Sequence, residues 1–471
     1  MIDVARALLA GAIELLAGVE GADDAPEPEA RLLPSGDPLP VAIRDVEPCE
    51  LGVLEAAAAI CQGKISPLEL VDACLTRIHE TDHVIGAFVR LAEDAARAQA
   101  GVADGAWPSG PLYGIPFGVK DLIDTNGLAT ERGSAVYAGR MAPWDATVVA
   151  RIRAAGGILV GKTATHEIAA GVSTPHSRNP WNPARMTSGS SGGSAAALAA
   201  RQVPAALGTD TGGSLRLPSA FCGTTAIRPT HGLVPRDGVM ALAPSFDTVG
   251  PMARSAADCW LLLQVLLGEQ EPLRRIDTGV VRLGVVEHPD IADALKRMRA
   301  LGVQIEPVEL PSLEITGAVA SVLQFAEGAA QFRDHQGGFA ADIETFLEVG
   351  RAVPVTDFLH AQRVRAAIKR EYATLFERVD AILMPTVPVP ELPHGAEHID
   401  GLPLVAVLMA FTVPAGVAGL PAIAFPCGFS ASGMPLGAQL VGPPRTEQRL
   451  ASLAAAYQDI TDWHLRTPPA F

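Results

Sequence analysis

Ser214 closes the run Gly208-Thr-Asp210-Thr211-Gly212-Gly213-Ser214, which continues as Leu-Arg216-Leu-Pro218. Two glycines before a hydroxyl let the backbone turn successive N–H groups into one concavity, and such a nest can hold an oxyanion beside the serine. Taken alone, the run reads equally as an ordinary glycine turn. A serine hydroxyl is a weak nucleophile at its free pKa and needs a base. Lys120 ends Gly114-Ile-Pro-Phe-Gly-Val-Lys120, an apolar strand pattern, and a lysine carried inward there is desolvated and more easily neutral. Asp121 falls on the opposite face of a continuing strand and need not cancel that effect. A third segment, Ser188-Gly-Ser190-Ser191-Gly-Gly-Ser194-Ala-Ala-Ala, is also hard to explain as structure alone.

Three shorter matches compete with this set. Gly156 to Thr163 fits the P-loop formula, but positions 157–160 read as a buried strand, which leaves no flexible turn to wrap a phosphate. His79-Glu80-Thr81-Asp82-His83 fits a zinc-protease helix. That helix must continue through both histidines, and Thr81 and Asp82 stand where the preceding helix is expected to end. Gly189-Ser190-Ser191-Gly192-Gly193 fits the nucleophile elbow with Ser191 as nucleophile. A proline-broken loop precedes it, and no acid-then-histidine pair stands out downstream.

The elements that must position these residues follow an α/β pattern. The chain has 471 residues, 48% hydrophobic and 19% charged, a globular composition with ample length for a core. Strands are expected at 87–91, 116–119, 158–160, 203–207, 281–286, 303–308, 381–384, 422–426 and 437–441, with Gly208 opening a tight loop. Helices are expected at 66–77 (N-cap Ser66, then Pro67 and Glu69), 93–101, 145–155, 194–201, after strand 281–286 through Leu301, and 447–457. Alternating strands and helices imply a single layered domain, a large mixed central sheet covered by helices on both faces. Residues 2–19 form an amphipathic helix, and an acidic, proline-rich linker follows. The expected division is therefore 1–45 and 46–471, with the first helix docking on its own domain.

A net charge of −16 opposes nucleic-acid binding, and the basic cluster Arg363 to Arg370 reads as a solvated helix face. The six cysteines are scattered without a C-x-x-C pair, which suits free thiols of a reducing compartment. Residues 7–19 are too short to span a bilayer and make a poor signal sequence, so a soluble cytoplasmic protein with no membrane contact is expected.

Together the three segments resemble the amidase signature family of hydrolases. The resemblance runs from about Cys61 to Phe471 and is densest between Gly114 and Pro251. It implies Lys120 as base, Ser190 as a bridging serine at an unusual cis peptide, and Ser214 as nucleophile. The backbone N–H groups of Thr211, Gly212, Gly213 and Ser214 would form the oxyanion hole, with Ser188, Asp210 and Arg216 in structural support. The implied reaction cleaves a carboxylic amide through an acyl-enzyme and requires no metal or cofactor. Ser188, Ala164, Ile168 and Ala415 depart from residues common in the family, which bears on pocket shape rather than chemistry.

The leading expectation is a stand-alone amidase acting on a small-molecule amide, with a homodimer left open. The alternative is the glutaminase subunit of a tRNA-dependent amidotransferase. That subunit must hold the charged α-groups of glutamine, and helix 318–332 offers Glu327 but no arginine before Arg333. Phe325, Phe332, Phe339, Phe346, Phe358, Met409 and Phe411 could line a pocket, though each reads more readily as core.

Overall fold

A computed structural model describes residues 2–104, 109–335, 337–389 and 391–469. Phe471, where the family resemblance ends, lies outside them. Eleven strands form one sheet: β1 (Phe88–Leu91), β2 (Pro116–Lys120), β3 (Ile158–Thr163), β4 (Ala205–Asp210), β5 (Thr225–Arg228), β6 (Thr248–Ala253), β7 (Arg282–Val285), β8 (Gln304–Pro307), β9 (Ala381–Pro385), β10 (Ala422–Phe429) and β11 (Pro435–Val441). Their order is β8-β7-β9-β11-β10-β5-β6-β4-β2-β3-β1. The sheet is mixed. β4, β2 and β3 run parallel to one another, as do β8, β7 and β9, while antiparallel pairs join these blocks and add β1 at the edge.

Central strands such as β2, β3 and β4 are buried along their whole length, because helices cover both faces. The strand period sorts their residues. Phe117, Val119, Leu159, Ala205 and Leu207 join a core with helices Ala256–Leu267 and Glu447–Asp459. Ile158, Val160 and Ala206 face the alanine-rich helix Gly192–Ala199 instead. Lys120 alternates with Val119 and so falls on the side of that small-residue helix, whose preceding turn carries Ser190.

Several boundaries differ from the sequence reading. The first internal helix runs from Pro67 to Ile85, through both histidines of the zinc-like motif. Thr81 is accommodated because its hydroxyl donates to the Arg77 carbonyl at 2.6 Å, and Asp82 closes the helix by accepting the Ala87 N–H at 2.7 Å. Helix termination at Thr81 and Asp82 is therefore no objection to a metal site. His79 instead contacts Glu93 at 2.9 Å, His83 is exposed, and no metal-holding cluster of acids, histidines and cysteines occurs among the described residues. β4 extends to Asp210, so Gly208 is a strand residue and the tight loop begins at Thr211. β3 likewise includes Lys162, whose ammonium donates to the Ile123 carbonyl and to Thr125 and Thr130, with no phosphate cradle around it. In helix Val355–Arg378, Arg365 is buried and bonds Ser245 and the Val417 carbonyl, so the basic run is only partly a solvated face. Strands β5 and β6, which the sequence reading omitted, complete the sheet centre.

The helix Ile2–Ala17 lies against helices Leu313–Gln331, Ala341–Arg351 and Val355–Arg378, burying Leu9, Ala12 and Leu16. The following segment is tied down too. Arg31 meets Asp380 at 2.6 Å, and Ser35–Pro38 pairs with Arg274–Ile276. Among the described residues no helix is long and apolar enough to cross a membrane. Leu16 is 2% exposed. Leu16→Ala is expected to cost about 2–4 kcal/mol in a denaturant titration; a free arm would show no change.

Candidate active site

Lys120 is completely buried at the end of β2. Its amine lies 2.7 Å from Ser190 Oγ and 2.9 Å from Thr209 Oγ1, two hydroxyls and no carboxylate. Burial pushes its pKa down to about 7, against weaker upward pulls from Asp210 and Asp247. Asp121 is turned to the other face, where it stands 3.8 Å from the buried Lys162 and accepts the Glu131 N–H. Burial raises Asp121 to about 6 despite Lys162, and lowers Lys162 to about 8. Each lysine of the pair of parallel strands thus has its own environment, and the carboxylate beside Lys120 in sequence belongs to Lys162.

Ser190 follows a cis peptide bond from Gly189 and is fully buried. Ser188, with φ of 60°, anchors that turn by donating from Oγ to the Val172 carbonyl at 3.0 Å. Ser191, the rival nucleophile, is also fully buried, and its hydroxyl is committed to the Thr209 carbonyl at 3.2 Å. Ser214 is 7% exposed, and among the described residues its hydroxyl has no hydrogen-bond partner. The contact from Lys120 to Ser190 is therefore made, and the step from Ser190 to Ser214 is not hydrogen-bonded in this structure. Such contacts often tighten only around substrate.

Among the described residues, the N–H groups of Thr211, Gly212, Gly213 and Ser214 donate to no protein acceptor. The loop holding them is fixed from behind. The Thr412 hydroxyl donates to the Gly212 carbonyl at 2.6 Å, and because C=O and N–H of one peptide point opposite ways, this aims the Gly213 N–H away from Thr412. A side chain at Gly213, which has φ of 141°, would collide with Thr412; one at Gly212 would collide with Met409. Thr211 donates to Asp247 at 2.6 Å, and that carboxylate also takes the Leu242 and Ala243 N–H groups. Burial raises Asp247 to about 6, against its hydrogen bonds.

Asp210 is the hinge of this loop. It receives Arg216 Nε at 3.0 Å and Arg228 at 2.6 Å, all three side chains being fully buried. Burial would raise its pKa, but the two guanidinium groups outweigh that and hold it well below the usual carboxylate range. Arg216 extends the frame to Gln439 at 2.9 Å and to the Thr412 carbonyl at 2.8 Å. Sequence reasoning gave no role to Thr209, Arg228, Asp247 or Thr412; Thr209 lies within the Gly208–Ser214 run itself, while the other three reach the loop from distant parts of the chain.

A cavity of about 370 Å³ borders the loop, lined by Thr209, Thr211, Asp247, Ala169, Met240 and Leu242 among others. The fold and this buried lysine–serine arrangement are those of an amide-cleaving hydrolase. The family model described as Amidase matches residues 69–451, and the chain belongs to the amidase signature family. It is 36% identical to a glutamyl-tRNA(Gln) amidotransferase subunit of Roseiflexus sp. (strain RS-1), over 89% of this chain and 98% of that protein. A crystal structure of an amidase superposes with a TM-score of 0.80 at 32% identity, covering 87% of this chain and 99% of that one. The peptide amidase of Stenotrophomonas maltophilia superposes with a TM-score of 0.76 at 28% identity, over 89% and 99%.

Two outcomes are expected from this geometry. With burial lowering Lys120 to about 7, a catalytic role for its neutral amine predicts that kcat/KM rises about tenfold per pH unit below that point and levels off above it. A pH–rate profile checks this. Asp210→Asn leaves two buried guanidinium groups without a carboxylate and is expected to cost about 3–5 kcal/mol, read by chemical denaturation.

Proposed function

We propose that this protein hydrolyses a small carboxylic amide to an acid plus ammonia or amine through an acyl-enzyme on Ser214. The observation that carries the reading is the Lys120 amine, fully buried, 2.7 Å from Ser190 Oγ and contacting no carboxylate. Neutral Lys120 takes the Ser190 proton as Ser190 takes that of Ser214, and Ser214 Oγ attacks the amide carbonyl. The oxyanion settles on the N–H groups of the 211–214 loop, where each donor contributes roughly 3 kcal/mol. The relay then reverses to protonate the leaving nitrogen, and water releases the acid.

A second reading, the glutaminase component of an amidotransferase, is favoured by the names of the relatives at 36–38% identity. Free glutamine needs partners for its α-ammonium and α-carboxylate. Glu327 is already occupied by the Ser245 N–H at 2.9 Å and hydroxyl at 2.5 Å, and Arg333 is exposed and pairs with Asp334. Asp210 and Asp247, the acids beside the oxyanion loop, are consumed as described above, and Met409 and Val413 present apolar surface to Gly212. These commitments favour the stand-alone amidase.

The deciding experiment measures ammonia or amine release from a panel of primary, aryl, peptide and urea-like amides with glutamine included. Turnover of another amide with none from glutamine is expected; turnover of glutamine alone supports the amidotransferase reading. Ser214→Ala is expected to lower kcat by about 10⁴-fold or more. A sulfonyl fluoride should label Ser214, and labelling of Ser191 instead would overturn the assignment.

A further inference from the structure

Among the described residues the Lys120 amine has two hydrogen-bond partners, Ser190 Oγ at 2.7 Å and Thr209 Oγ1 at 2.9 Å. Ser190 belongs to the relay toward Ser214. Thr209 leads elsewhere. Its side chain lines the cavity of about 370 Å³, whose walls include neither Ser190 nor Ser214. The Thr209 hydroxyl accepts from Lys120 and donates to no described residue, so its own proton is free to point into that cavity. The cavity suits water. Its wall carries the hydroxyls of Thr211 and Thr248 and the carboxylates of Asp237 and Asp247, and Asp237 is exposed at the surface. Arg236, the cation among the lining residues, is turned to the Pro244 and Asp247 carbonyls. The space is several times the roughly 30 Å³ that one water occupies.

A hydrolytic turnover leaves one proton over at the relay. The proton that Ser214 loses in the attack goes to the leaving nitrogen, which departs neutral. The attacking water then gives one proton through Lys120 to Ser214 Oγ, and its second proton stays on the new carboxylic acid. An acid of ordinary pKa, about 4, yields that proton along the two serines to a lysine held at about 7, and the product leaves as a carboxylate. Lys120 is then an ammonium. It must be neutral again before the next amide is attacked, and the product still fills the front of the relay.

We propose that Thr209 is the proton outlet of Lys120: the lysine passes its surplus proton to the Thr209 hydroxyl as that hydroxyl passes its own to cavity water, and the base is reset from behind. The proposal rests on the amidase reading above. Ser190 and Thr209 are then the two ends of one relay, the first facing substrate and the second facing solvent. A proton that leaves this way enters a space walled by two acidic residues, which favour it there.

The test compares two fates of one acyl-enzyme. Hydrolysis leaves the surplus proton. Acyl transfer to hydroxylamine does not, because the proton taken from hydroxylamine returns through Lys120 to Ser214 Oγ and the hydroxamic acid leaves neutral. Thr209→Val is expected to lower kcat for hydrolysis by about tenfold or more. Hydroxamate formation should fall by less than about twofold. Thr209→Ser keeps a hydroxyl and should keep both rates, and Thr209→Ala is run in parallel in case the valine variant does not fold. A merely structural contact to Lys120 would slow both reactions equally. A second arm needs no turnover. In Ser214→Ala, where the front relay is cut, exchange of the Lys120 Nζ protons with solvent is followed by ¹⁵N NMR, and adding Thr209→Val should slow it about tenfold or more. Equal loss in both reactions, no loss in either, or unchanged exchange overturns the proposal. If no amide is cleaved while exchange still depends on Thr209, the amidase reading fails and the outlet stands.

Discussion

The structure turns on one constraint, a lysine amine buried completely without a carboxylate to neutralise it. Desolvation alone makes such an amine willing to be neutral, and a carboxylate at contact distance would undo this. The surroundings are arranged accordingly. Lys162 on the adjacent strand holds Asp121, two arginines hold Asp210, and Thr211 with two main-chain N–H groups holds Asp247. Each nearby acid is committed elsewhere, and Lys120 is left with the hydroxyls of Ser190 and Thr209. The second lysine, which imitates a P-loop in sequence, has a role in this division of partners.

The same commitments shape the 211–214 loop, the proposed oxyanion hole. Asp210 gathers Arg216 and Arg228, Arg216 reaches Gln439 and the Thr412 carbonyl, and the Thr412 hydroxyl returns to Gly212. Groups on four separate stretches of chain thereby fix the direction of N–H groups that have no protein acceptor of their own. A preorganised nest of this kind stabilises developing charge without reorganising during the reaction. Glycine is required at 213, where φ is 141° and Thr412 stands where a side chain would project; at 212 only the flexible end of Met409 would have to move.

How much of this was legible in the sequence depends on whether the signal was local. The α/β layering was legible, and Lys120, Ser190 and Ser214 stood out because they lie in compact runs of unusual composition; the structure brings Lys120 against Ser190 and leaves the Ser214 hydroxyl without a partner among the described residues. Boundary errors came from local propensity losing to tertiary partners. Thr81 and Asp82 stayed helical because Arg77, Ala87 and Gln202 satisfy their side chains, and Gly208 stayed in a strand because β6 pairs with it. The partners that Thr412, Arg228 and Asp247 hold could not be read. Their meaning comes from contacts across the sheet.

The central claim is that Lys120 is a neutral amine at working pH. Selective ¹⁵Nζ labelling of lysine, with Lys120→Arg to assign the resonance, allows its titration to be followed directly by NMR. The account predicts a Lys120 signal that changes from ammonium to amine near pH 7, while most other lysines remain protonated. A Lys120 that stays an ammonium beyond pH 10 would contradict it.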